Sequence, residues 1–183
     1  MFQKIKSRIR NRSGFTLTET LMAVLILMLV GTIVAAGVPM ATRTYTKIVD
    51  SANAQALLST TMTCLRDELG TASGISFNGT DISYTNASGS ATKIYLKGDA
   101  GANGDTPGIY IQEYADIAPD EPQYTRLLVS DAASNRNLHA TFESPSYNAG
   151  DGVITLTNLA VKKGDDTLAK IETFKIRVLT DVS

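Results

Sequence analysis

One carboxylate stands at the head of a long apolar run. Glu19 is the first acid in the chain, and none follows until Asp50. From Leu21 to Val38 the only ordinary polar residue is Thr32. An acid in hydrocarbon costs about 2.5–3.5 kcal/mol at a helix centre and less nearer an end, so it is expected to be paired or functional. Within the intact chain its nearest candidate partners are basic residues such as Arg12. Scission between Gly14 and Phe15 would create another, an α-amine four residues before Glu19. That cation would lie at the same membrane depth. A carboxylate–ammonium pair between adjacent molecules would satisfy both charges and fix an axial register. The competing reading is an interfacial acid resting among headgroups, and the residue types alone leave both open.

Other chemistry is thinly represented. The stretch 97–108, KGDAGANGDTPG, offers Asp99, Asn103 and Asp105 as oxygen ligands for Ca²⁺. It is not an EF-hand, because the twelfth position carries no closing glutamate, and a solvated surface loop is the favoured reading. His139, the single histidine, lies on a strand with no Cys–His or His–His spacing for a metal. Cys64 is the single cysteine, so no intrachain disulfide forms, and its place near a helical apolar stripe suits a small core residue. No nucleophile elbow and no phosphate-binding glycine loop opening a helix is found. The residues point to no cofactor and no enzyme.

The elements that position Glu19 follow from charge and periodicity. Residues 1–13 carry Lys4, Lys6, Arg8, Arg10 and Arg12 and no acid, a local charge of +5. The remainder of this 183-residue chain carries 12 basic and 18 acidic residues, a net −6. A mildly acidic body argues against nucleic-acid binding, which rests on neutralising phosphates. A basic segment before an apolar run reads as a targeting segment, and the positive-inside rule keeps that end in the cytoplasm. Leu21–Val38 spans roughly 27 Å as a helix, enough to cross a bilayer core. Pro39 removes a backbone donor and is expected to kink or loosen the helix there.

Helical periodicity resumes beyond Pro39. Ile48, Ala52, Leu58, Met62, Leu65 and Leu69 recur at spacings of three and four, with Gln55 interrupting the stripe, and Lys47, Asp50, Asn53 and Asp67 on other faces. Gly70 supplies a stop. From Gly74 the period becomes two, in GISF, DISYTN, TKIYLKG, GIYIQEY, YTRLLVS, HATFES, GVITLTNLAV and AKIETFKIRVLT. Turn-rich pieces separate them, among them Pro119–Gln123 and Ser144–Gly152. The securest hairpin joins Val153–Val161 to Leu168–Leu179. The expected fold is α+β: a long N-terminal spine helix, half transmembrane and half amphipathic, packed on a C-terminal antiparallel sheet. Its parts are a basic leader at 1–14, a transmembrane helix at 15–39, an amphipathic half at 40–70 and a β-rich head at 71–183.

The N-terminal residues also carry a family resemblance. A basic leader, Gly14, then Phe15-Thr16-Leu17-Thr18-Glu19 and an uninterrupted apolar run resembles the prepilin N-terminus of type IV pilins and type II secretion pseudopilins. It covers about 25 residues; beyond them the likeness is one of architecture alone. The resemblance implies cleavage after Gly14 by a membrane prepilin peptidase and N-methylation of Phe15. It implies Glu19 as the assembly carboxylate, Pro39 as the helix kink, and polymerisation through the apolar helix. Its implied partners are that peptidase, an inner-membrane platform protein, an assembly ATPase and sibling pilins. Its implied location is the cytoplasmic membrane, then an extracytoplasmic or surface filament. Many Gram-negative pilins close a C-terminal loop with a disulfide, which Cys64 alone does not allow. Two alternatives stand beside it. One is a singly anchored extracytoplasmic binding or sensor domain that does not polymerise. The other is an ordinary secretory signal cut after Ala36, for which the apolar run is long and Glu19 is awkward.

Overall fold

A computed structural model describes residues 16–98, 106–115, 118–129 and 137–179. The first element, α1 (Leu17–Gly70), is a single helix of 54 residues. Thr16 caps it. The Glu19 amide lies 3.4 Å from the Thr16 hydroxyl oxygen, and the Thr20 amide donates to the Thr16 carbonyl at 3.2 Å. Thr-x-x-Glu is the spacing of a capping box, which satisfies helix-end donors that otherwise have no partner. The helix continues through Pro39. In the turns that follow, the hydroxyls of Thr42, Thr44 and Thr46 donate to the carbonyls of Val38, Met40 and Thr42, each at 3.0 Å. Threonine hydroxyls in a helix bond back to the preceding turn in this way.

Contacts divide the chain into two units, Met1–Lys47 and Ile48–Ser183. In the second unit α1 buries Asp50, Ala54, Leu57, Leu58, Thr61, Leu65 and Leu69. This stripe differs at its start from the periodic expectation. Ile48 is 63% exposed and Ala52 is exposed, while Asp50 faces inward. The cause is a long-range partner: the Lys163 ammonium meets the Asp50 carboxylate at 2.5 Å.

The strands form two antiparallel sheets rather than one. The first is a meander of β1 (Ser73–Asn78), β2 (Asp81–Thr85), β3 (Ala91–Lys97), β4 (Gly108–Ala115) and β5 (Ala118–Leu127), paired in that order. The second is built around β8 (Val153–Lys163). Here β6 (Leu138–Thr141) and β7 (Pro145–Asn148) pair with different stretches of β8, and β9 (Asp166–Arg177) pairs with it as well. The β8–β9 hairpin closes through Gly164 and Asp165, with Gly164 at φ 59°, the left-handed conformation such tight turns need.

Two pieces read as turns are strand. Pro119–Gln123 lies inside β5, which is an edge strand, where a missing amide hydrogen is tolerated. Pro145–Asn148 lies inside the expected 144–152 turn and pairs with Val153–Leu156 as β7. One hydrophobic core serves both sheets and the C-terminal half of α1. Leu65 and Leu69 meet a cluster that includes Ile82, Ile94, Ile111, Ile154, Leu156 and Phe174.

Candidate assembly site

The site begins at the capped end of α1. Glu19 sits in the first helical turn with its side chain exposed. There the partial positive charge of the helix start favours a carboxylate. Gly14 and Phe15 lie outside the described residues, as do Asp99, Asn103 and Asp105. Among the described residues no group of three metal-capable side chains is found. Thr16 was not singled out from the sequence, although the Thr-x-x-Glu spacing was there to read. Its position matters, because an amine on Phe15 would immediately precede the helix cap.

Beyond Glu19, α1 presents an uncovered apolar surface. Every residue from 17 to 48 is exposed, including Leu21, Met22, Leu25, Leu29, Ile33 and Val38. Leu27 is 71% exposed. The helix is long and apolar enough to cross a membrane, and the protein buries none of that apolar window itself. Soluble monomers rarely leave contiguous apolar patches larger than a few hundred Å². Bilayer lipid or like helices are the two coverings that match such a surface. Pro39 lies within this exposed stretch.

Among the described residues of the head, polar side chains link the helix and the sheets. The Glu68 carboxylate accepts from the Arg126 guanidinium at 2.7 Å and from the Tyr84 hydroxyl at 3.3 Å. Burial first, and then the Glu68 charge, push the Tyr84 hydroxyl well above the usual phenol range. Lys93 pairs with Asp81 at 2.7 Å, a bond that raises the ammonium above its ordinary value. Cys64 is half-buried and packs against the core. His139 stands on β6 opposite Lys162.

Residues 9–35 match the family model described as the prokaryotic N-terminal methylation motif. That motif is the hallmark of the prepilin-type signal in type IV pilins and pseudopilins. Neither the comparison with curated proteins nor that with solved structures gives a match. The match begins inside the basic leader, crosses the capped helix start and ends within the apolar run. It thus covers the expected cleavage point and Glu19 together. This segment supports a type IV pilin-like or pseudopilin-like precursor, and the helix that follows is long and apolar enough to cross a membrane. The motif's family is structural rather than enzymatic.

Proposed function

We propose that this chain is a structural subunit of a type IV pilus-like or type II secretion-like filament. One observation carries the reading. The matched methylation motif runs directly into an apolar helix that the protein leaves uncovered. In this proposal the leader, residues 1–14, holds the N-terminus in the cytoplasm. Prepilin peptidase cuts between Gly14 and Phe15 and methylates the new amine. Residues 15–39 then serve first as the membrane anchor and afterwards as the polymerisation surface.

The Phe15 amine of one subunit pairs with the Glu19 carboxylate of a neighbour, so that each charge neutralises the other within the apolar environment. Pro39 gives the helix a point of bending, residues 40–70 bind the head, and 71–183 form its β-rich body on the filament surface. Sibling pilins, a platform protein and an assembly ATPase complete the proposed machinery.

Intact-mass measurement of the protein from its native membrane tests processing. The expected product starts at methylated Phe15. Assembly is tested by Glu19→Ala, which is expected to insert normally and to be depleted from sheared filaments. Incorporation at the wild-type level would return the chain to a membrane-anchored domain that does not polymerise.

A further inference from the structure

We propose that Arg43 and Lys47 form a seat for the headgroups of anionic lipids at the C-terminal end of the membrane span. The proposal rests on the reading of α1 as a membrane helix. Both residues are exposed and lie one helical turn apart, so their side chains share a face. Among the described residues neither makes an ion pair.

The surrounding turns are less polar than their composition suggests. Thr42, Thr44 and Thr46 all turn their hydroxyls onto helix carbonyls. Their hydroxyl protons are spent inside the helix, which leaves Arg43, Tyr45 and Lys47 as the groups with donors to offer outward. Met40 and Tyr45 are 73% and 68% exposed. An aromatic ring with a polar tip is the usual anchor at a membrane surface.

The depth is right. With Val38 at the edge of the hydrocarbon, Arg43 lies about 8 Å and Lys47 about 14 Å further along the axis. The headgroup layer is roughly 5–8 Å thick. Helical side chains lean toward the helix N-terminus, so the Lys47 stem brings its ammonium back toward that layer. The face also runs on from apolar residues: Ile33, Ala36 and Met40 precede Arg43 at spacings of three and four. Acyl chains would lie along those residues while the phosphate meets the two cations. Charge complementarity selects an anionic headgroup over a zwitterionic one.

The test is flotation of the full-length chain with vesicles of phosphatidylcholine alone or mixed with phosphatidylglycerol. Retained lipid is then counted by native mass spectrometry. Wild type is expected to retain phosphatidylglycerol preferentially. Each membrane-surface cation is worth about a fivefold change, so R43Q/K47Q should lose about 25-fold of that preference. The leader also carries cations, so R8Q/R10Q/R12Q serves as a comparison and should keep the part due to Arg43 and Lys47. R43Q/K47Q with unchanged preference overturns the proposal. If that variant instead loses self-association, the cations belong to an acid of a second copy and the lipid assignment falls. A wild type that floats with neither vesicle overturns both the proposal and the membrane reading; flotation without lipid preference overturns the proposal alone.

Discussion

The amide of Leu179 donates to the carbonyl of Gly70 at 2.8 Å, so the chain beyond β9 closes the C-terminal end of α1. Beside it, the Val178 amide donates to the Gly152 carbonyl at 2.8 Å, and the Val178 side chain is buried. The helix end and the start of β8 are therefore held by one short segment. Truncation after Arg177 removes a buried valine, worth about 1.5–3 kcal/mol, and two hydrogen bonds of about 1 kcal/mol each. Thermal unfolding of the full-length chain in detergent should shift down by roughly 7–20 °C. An unchanged midpoint would show that this closure contributes nothing.

Asp50 and Lys163 should show strong coupling. Asp50 is 6% exposed, and Lys163 retains contact with water. Lys163→Met leaves a buried carboxylate without that partner and should cost about 1–3 kcal/mol, below the range for fully buried pairs. Asp50→Leu with Lys163→Met should recover much of the loss. A denaturation double-mutant cycle measures the coupling; additive effects would remove the ion pair as the reason Asp50 faces inward.

Tyr84 gives the head a predicted alkaline limit. Its folded-state pKa is raised, so the unfolded chain releases this proton first as pH climbs. Its contribution to stability is complete below about pH 10 and declines above it. Lys93, also raised, acts in the same direction. Tyr84→Phe should flatten part of the loss seen in melts between about pH 10 and 11. The same slope in wild type and variant would place the alkaline sensitivity elsewhere.

Capping and assembly are separable at the head of α1. Glu19→Gln keeps a capping-box residue and removes the charge. Thr16→Ala removes the cap, worth about 1 kcal/mol, and keeps the charge. The proposed pairing with the Phe15 amine predicts poor incorporation for Glu19→Gln and near-normal incorporation for Thr16→Ala, read by quantifying sheared filaments. The reverse result would make Glu19 a helix-start residue and nothing more.

Features set by neighbours in sequence were the legible ones. The apolar run and the β8–β9 hairpin each follow from local composition and period. Asp50 was placed on the wrong face because its partner is 113 residues away. The prolines of β5 suggested a turn, since only pairing can reveal an edge strand that tolerates them. Two sheets were indistinguishable from one, because alternation marks strands without saying which strand lies beside which. The Thr16 cap is readable in the Thr-x-x-Glu spacing, where Glu19 serves both as a charge and as the end of a four-residue box.

The prolines of β5 have a consequence for crowding. An open sheet edge is a template on which another chain can add a strand, and this one lacks amide hydrogens at positions 119 and 122. A strand from a neighbouring molecule would find gaps there where donors should be. In the proposed filament, heads held side by side at high local concentration would thereby be hindered from fusing through this edge into a continuous sheet, leaving the joining to the helices.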